Sequence, residues 1–163
     1  MSGMGPREWF EMQNRAFGER PFARFMLDYG KDYALGPESF AGRRGEQGQC
    51  YMNASHLAFN SQFSSRPLTY VEGQISVCGV PIDHAWCVNA DGIVIDPTLR
   101  SSADVGNFFG VPFHTDYVRK AILRNKVYGL LDICNARKTL PKLVELGLED
   151  GQKWLIGKRG VKA

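Results

Sequence analysis

The chain has 163 residues, which is enough for one domain with a substantial hydrophobic core. Hydrophobic residues make up 44% and charged residues 23% of the sequence, a balance that is typical of globular proteins and excludes intrinsic disorder. The net charge of +3 is small and the short basic groups lack interleaved aromatic residues, so we expect no nucleic-acid binding, and no apolar run is long enough to cross a membrane.

Helical spacing of apolar residues predicts the first part of the chain. One apolar stripe covers residues 8–16, and a second helical pattern runs over residues 22–29 up to Gly30. Residues 30–48 are rich in glycine, proline and charge, and they predict a long surface loop. A third helix is predicted to begin at Cys50, because apolar residues follow it at helical spacing.

Three strand-like segments come next. Residues 68–78 alternate between an apolar face and a face that carries Tyr70 and Glu72, which we interpret as polar. A turn is predicted at residues 79–81. Residues 83–88 and 92–96 predict two short strands joined by a hairpin, since an Asp-Gly pair lies between them.

After Pro97 the pattern becomes helical, over residues 117–127 and 138–146, and the stretch NFFGVPF is interpreted as a packing loop. Helices, then a small antiparallel sheet, then helices predict an α+β fold. We expect a single domain over residues 1–163.

Three residues combine the chemistry of a nucleophile, a base and an orienting acid. If the hairpin turn centres on Ala90, His84 lies directly opposite Asp96, at a separation that allows a hydrogen bond. Cys50 is predicted at a helix N-terminus, where unpaired N–H groups favour a thiolate. An imidazole can take and return the proton, and a carboxylate can fix the imidazole tautomer. The sequence therefore predicts a catalytic triad of Cys50, His84 and Asp96.

Further side chains are candidates for binding the oxyanion or the substrate. Backbone N–H groups at Cys50 and Tyr51 could hold an oxyanion, with Gln47 or Gln49. Asn53 shares the helix face of Cys50, where it could contact substrate or hold the neighbouring loop. The remaining candidates are Tyr70 and Glu72, whose carboxylate could bind a substrate amine or orient Arg43 or Arg44, and Trp86 near His84.

The motifs GQCYMNA, DHAWCV and VIDPT, which carry the triad residues, resemble the transglutaminase-like branch of the papain-like cysteine hydrolases. The resemblance covers about residues 48–98 and implies a papain-like core, in which the nucleophile-bearing helix packs on a small antiparallel sheet with flanking helices. Arg44 stands where papain has a glutamine, and Tyr51 stands where transglutaminases often have a tryptophan. The chain also resembles small uncharacterised proteins, many of them phage-encoded.

This pattern predicts a cysteine-dependent acyl-transfer enzyme that hydrolyses an amide or peptide-like bond through a thioester on Cys50. One alternative is an amine acyltransferase or cross-linker, because the triad is common to both reactions. Another is an inactive binding module that keeps the fold. A phage-associated role, with a host protein as substrate or partner, is compatible with each of these.

The expected setting is cytoplasmic and free of cofactors. The sequence starts without the basic and apolar regions of a secretory signal, so we expect its four cysteines, Cys50, Cys78, Cys87 and Cys134, to be reduced thiols. A zinc site that includes Cys78 and Cys87 would lack any C-x-x-C pair, and no phosphate-binding loop or dinucleotide fingerprint occurs. We therefore expect neither a metal nor an organic cofactor.

Overall fold

The computed structural model of the protein describes residues 3–18, 20–42, 44–103 and 105–131. Cys134 and the helix predicted over residues 138–146 lie outside these ranges. The described helices are α1 (Pro6–Phe17), α2 (Pro21–Tyr29), α3 (Cys50–Ser61) and α4 (Thr115–Asn125). The described strands are β1 (Lys31–Tyr33), β2 (Thr69–Val77), β3 (Val80–Val88), β4 (Val94–Ile95) and β5 (Val105–Phe113).

All five strands form one sheet in the order β1-β5-β2-β3-β4, and each neighbouring pair is antiparallel. The sheet edges also meet, because Ala34 after β1 and Ile93 before β4 form an isolated bridge and the Val94 N–H donates to the Ala34 carbonyl at 2.9 Å. The sheet is therefore curled, with an inner face and an outer face. The α+β prediction is confirmed.

The two faces of the sheet bury two separate cores. The outer core lies between the helices and the sheet and includes Phe10, Met26, Ala54 and Tyr70. The inner core is enclosed by the curled sheet and is built around Trp86, with Val71, Ile75 and Phe108 among its other members. Since adjacent residues of a strand point to opposite faces, β2 and β3 each supply alternate residues to both cores.

The predicted helices α1, α2 and α3 are confirmed, and so is a helix near residues 117–127. Proline stands at the first helical position of α1 and of α2. An N–H group at this position would have no intrahelical acceptor, so proline costs the helix no hydrogen bond there. None of the helices in the described part of the chain has the length and apolar character needed to span a bilayer.

Strand β5 corrects the packing-loop interpretation of NFFGVPF. It pairs with β2 along most of its length, and Phe108 and Phe109 enter the inner and outer cores respectively. Two glycines and Pro112 hid this strand from the sequence pattern. Pro112 is tolerated because β1 pairs with β5 only at residues 108–110, so among the described strands none pairs with Pro112 on that side. Strand β1 was likewise missed, inside the predicted surface loop.

Strand β3 also begins earlier than predicted, since residues 80 and 81 belong to it and only Cys78 and Gly79 form the turn. Both turn residues have positive φ, 49° for Cys78 and 78° for Gly79. The left-handed conformation of Gly79 costs little because glycine has no Cβ.

Candidate active site

Cys50 is the first residue of α3, as predicted, and its side chain is half-buried in the wall of an open cleft of about 520 Å³. Gln49 occupies the N-cap position before it, and Gly48 has a φ of 80° that turns the chain into the helix. The helix packs on the outer face of the sheet, where the Cys87 thiol donates to the Ala54 carbonyl at 3.2 Å. This packing directs the N-terminus of α3 towards the cleft.

The His84 Nε2 atom lies 2.7 Å from Asp96 Oδ2, and both side chains are nearly removed from solvent, with relative exposures of 6% and 0%. The predicted proximity is correct, but the predicted register is wrong. Cys87 pairs with Ile95, and Val88 with Val94, so the turn centres on Asp91. Because the register differs from the prediction by two residues, His84 and Asp96 keep a common face and meet diagonally.

The hairpin turn explains that register. The Gly92 N–H donates to the Asn89 carbonyl at 3.0 Å, and the Asn89 N–H donates to the Ile93 carbonyl at 3.1 Å. Gly92 has a φ of 77°, so the connection is a three-residue loop that ends in a left-handed residue. The Asn89 side chain accepts hydrogen bonds from the N–H groups of Asp91 and Ile93, and these bonds stabilise the turn.

The Asp96 carboxylate is fixed by more than His84. Its Oδ1 atom accepts the N–H groups of Thr98 at 2.8 Å and Leu99 at 2.9 Å, and the Asp96 N–H donates to the Ser39 carbonyl at 2.8 Å. Each carboxylate oxygen therefore has a defined role, with Oδ1 bound to the backbone and Oδ2 bound to the imidazole. Since Nε2 is held by Asp96, Nδ1 is the ring nitrogen left for the thiol.

The pKa of His84 records this environment. Burial acts to lower it, but the hydrogen bond to Asp96, a hydrogen bond with Cys50 and the negative charges of both partners outweigh burial. Together they raise the pKa from 6.5 to about 9. The folded protein therefore holds the imidazole proton more tightly than an ordinary histidine does, because of Asp96 and of Cys50 in the same cleft.

Trp86 supports the imidazole from the inner core. The two rings are stacked, with centroids 6.2 Å apart and an interplanar angle of 16°. The indole lies against Gly110, where a Cβ would come within 2.7 Å of Trp86 Cη2. The indole N–H has no hydrogen-bond partner among the described residues. Trp86 is thus a packing partner of His84 in the structure, and it does not line the cleft.

Asn53 holds the loop before the nucleophile. Its side chain donates to the Glu46 carbonyl at 2.6 Å and to Thr98 Oγ1 at 3.0 Å, and its Oδ1 accepts the Glu46 N–H at 3.2 Å. The Gly45 N–H donates to the Pro97 carbonyl at 2.7 Å. These bonds join the Cys50 loop to the segment that follows Asp96, so of the two predicted roles for Asn53 the structure supports the loop contact.

Tyr70 and Glu72 require a correction. Their face of β2 is buried in the outer core, and Glu72 is only 1% exposed, because α3 and the segment after α4 cover this face. The Tyr70 hydroxyl donates to Glu72 Oε1 at 2.7 Å, and the Leu131 N–H donates to Oε2 at 2.7 Å. Burial and the nearby Glu72 charge raise the pKa of Tyr70 well above 10.0. Neither side chain lines the cleft.

The remaining candidates are placed differently from one another. Gln47 lines the cleft beside Cys50, whereas Gln49 does not, and the Tyr51 side chain packs against the outer core. Cys78 is exposed in its turn, and burial raises the pKa of the Cys87 thiol far above its usual range. In the described part of the chain no group of three His, Cys, Asp or Glu side chains is placed to hold a metal ion.

Several cleft residues were missed by the sequence reasoning. They are Val77, Asp83, Thr98, Leu99, Arg100, Ser101 and Val105. Thr98 is the last residue of the DPT motif, and Leu99, Arg100 and Ser101 follow it directly, so that motif could have indicated them. Val105 could not have been found in this way, because it depends on the pairing of β5 with β2.

Comparisons with protein-family models, with curated proteins and with solved structures find no match to this chain. The transglutaminase-like resemblance therefore stays a prediction from the motifs, and the function has to be argued from the site itself.

Proposed function

We propose that the protein is a cysteine-dependent acyl-transfer enzyme of the transglutaminase-like kind, which hydrolyses an amide or peptide-like bond through a thioester on Cys50. The observation that carries the proposal is the two-sided environment of His84. Its Nε2 atom is held by Asp96 at 2.7 Å, and His84 and Cys50 line the same solvent-accessible cleft, where Cys50 acts to raise the pKa of the imidazole.

The protonated imidazole determines how the reaction starts. An imidazolium next to a cysteine sulfur favours the thiolate, which is the nucleophilic form of the side chain. The thiolate attacks the carbonyl carbon of the substrate and forms a tetrahedral intermediate. As the C–N bond breaks, His84 gives its proton to the departing amine, and an acyl thioester remains on Cys50.

Hydrolysis of the thioester reverses the proton transfer. The neutral imidazole takes a proton from water, whose oxygen attacks the thioester carbonyl carbon. The C–S bond breaks, the acid product leaves and the imidazolium–thiolate pair is restored. Asp96 stabilises the imidazolium and fixes its orientation in both steps, while its own proton state is unchanged.

The oxyanion of each tetrahedral intermediate needs donors near Cys50. The first N–H groups of a helix have no intrahelical acceptor, and Cys50 occupies the first position of α3. Gln47 carries a side-chain amide and lines the same cleft as Cys50. We propose that the N-terminus of α3 and Gln47 supply these donors.

The decisive experiment is the pH dependence of alkylation at each cysteine, followed by mass spectrometry from pH 5 to 9. Exposed Cys78 provides an internal reference for an ordinary thiol, and buried Cys87 provides one for a protected thiol. We expect Cys50 to react much faster than Cys78 below pH 7, and His84→Ala to remove that advantage. If Cys50 follows the same profile as Cys78, or if His84→Ala leaves its rate unchanged, the proposed pair does not exist.

A second measurement identifies the acceptor. A substrate that acylates Cys50 would be followed with and without a small primary amine such as methylamine. If the product is only the free acid, hydrolysis is supported. If a low concentration of methylamine converts the acyl group to its methylamide, the proposed reaction becomes acyl transfer to an amine.

A further inference from the structure

One wall of the cleft is apolar, although the rest is polar. Val77, Leu99 and Val105 line it, and all three are half-buried. They also pack against the inner core. The wall is therefore the open end of a hydrophobic core, left uncovered beside the candidate nucleophile.

Sheet pairing fixes this apolar wall in place. Val77 lies opposite Val105 across β2 and β5, and Leu99 is tied by its N–H to the same carboxylate that holds His84. Two of the three side chains thus come from paired strands, and the third is held through Asp96. A wall supported in this way offers a defined surface to a ligand rather than a deformable loop.

The distance along the sheet indicates an elongated ligand. Gly73 pairs with His84, and Val77 lies four residues further along β2. At roughly 3.4 Å per residue this is about 14 Å, which an extended peptide covers with about four residues. The cleft volume of about 520 Å³ is in the range of sites that hold small ligands or short peptide segments.

The neighbouring strand edge favours a peptide as the occupant. Strand β4 pairs with β3 only at Cys87 and Val88, so among the described strands none covers the outer edge of β3 from residue 80 to 86. Asp83 and His84 on this stretch line the cleft. Exposed strand edges bind extended chains through backbone hydrogen bonds, while side-chain pockets give the selectivity.

Building on the proposed function, we infer that the substrate is an extended peptide whose acyl portion places an apolar side chain against Val77, Leu99 and Val105. The acyl portion is the part that stays attached to Cys50 through both steps of the reaction. A subsite for it therefore holds the substrate during thioester formation and during hydrolysis, whereas a subsite for the leaving amine would serve only the first step.

The test uses peptide chloromethyl ketones, from which a thiolate displaces chloride to form a thioether. The parent probe is acetyl-tetra-alanine chloromethyl ketone, and four further probes carry a single leucine at each position in turn. For Cys50 the half-saturating probe concentration reports binding, and the limiting alkylation rate reports the thiolate. We expect one leucine position to lower the half-saturating concentration about tenfold or more, with little change in the limiting rate.

Val105→Thr tests the wall with almost no change in shape. We expect it to weaken binding of the preferred leucine probe about fourfold or more and to leave the parent probe unaffected. Val127→Thr is the matched control, because Val127 is an exposed valine outside the cleft. Val77→Thr provides a second test if Val105→Thr fails to fold.

The outcomes separate this inference from the proposed function. If Cys50 is alkylated rapidly but all five probes bind equally, or if the valine variants do not reduce the leucine preference, the apolar subsite is wrong while the triad stands. If Cys50 reacts no faster than Cys78 with every probe, both ideas fail together.

Discussion

Replacing His84 with glutamine removes the imidazole that titrates and places an uncharged amide of similar size beside Asp96. In the folded protein the pKa of His84 is raised to about 9, whereas the ordinary value of 6.5 applies to the unfolded chain. At about 1.4 kcal/mol for each pKa unit, the shift corresponds to a contribution of about 3 kcal/mol to the free energy of unfolding.

The sign of the pH dependence follows from which state holds the proton. Below pH 6.5 both states are protonated, so the whole contribution is present. Between pH 6.5 and 9 the folded protein keeps a proton that the unfolded chain releases, so the free energy of unfolding falls as the pH rises. For this group alone we expect a loss of about 2 kcal/mol between pH 6 and pH 8.

Urea unfolding at pH 6, 7 and 8 with reduced thiols measures this loss. Because the charge of Cys50 depends on His84, the comparison is made between Cys50→Ser and Cys50→Ser/His84→Gln, whose other titrating groups are common, so the difference between the two pH dependences isolates His84 beside Asp96. We expect the midpoint of Cys50→Ser to fall with pH, by up to the loss given above, while its m-value stays constant, and the double variant to lack that part of the slope. Parallel pH dependences for the two proteins would show that His84 is not held as an imidazolium by Asp96.

Three other substitutions test separate parts of the structure. Asp96→Asn keeps the Oδ1 acceptor for the backbone but removes the negative charge beside the imidazole, and we expect alkylation of Cys50 at pH 6 to slow about 100-fold or more, measured by mass spectrometry. Glu72→Gln turns an amide N–H towards a backbone donor in the outer core, so we expect a loss of about 2–3 kcal/mol in urea unfolding; an unchanged midpoint would contradict that contact. Gly73→Ala places a Cβ in a steric clash with the Phe109 carbonyl oxygen, and we expect a loss of about 3 kcal/mol or more, against almost none for Gly42→Ala, which meets no atom within 4 Å.

Much of the candidate site was accessible from local sequence signals. Cys50 begins a helix because glycines precede it and helix-spaced apolar residues follow it. The Asp-Gly pair correctly predicts a hairpin between the His84 and Asp96 strands. The register was wrong because the prediction centred the turn on Ala90, whereas the three-residue loop centres on Asp91, and the sequence alone does not fix the residue at which the loop begins.

Other assignments failed because they depend on contacts between distant parts of the chain. Glu72 alternates with apolar residues as an exposed carboxylate would, yet it is buried because Tyr70 and the backbone at residues 130 and 131 satisfy its oxygens. A buried carboxylate is tolerated only when such partners exist, and the two backbone partners come from a segment almost sixty residues away.

The sequence by itself determined the helices, the alternation of β2 and the chain order of the thiol, imidazole and carboxylate, because helix spacing, strand alternation and turn residues are local properties. Only the tertiary structure decided that β5 enters the sheet between β1 and β2, that the sheet curls around Trp86, and that Val77, Leu99 and Val105 form one wall of the cleft. These features follow from strand pairing over long sequence separations, where the energetic gain comes from burying both faces of the sheet and no short stretch of residues specifies it.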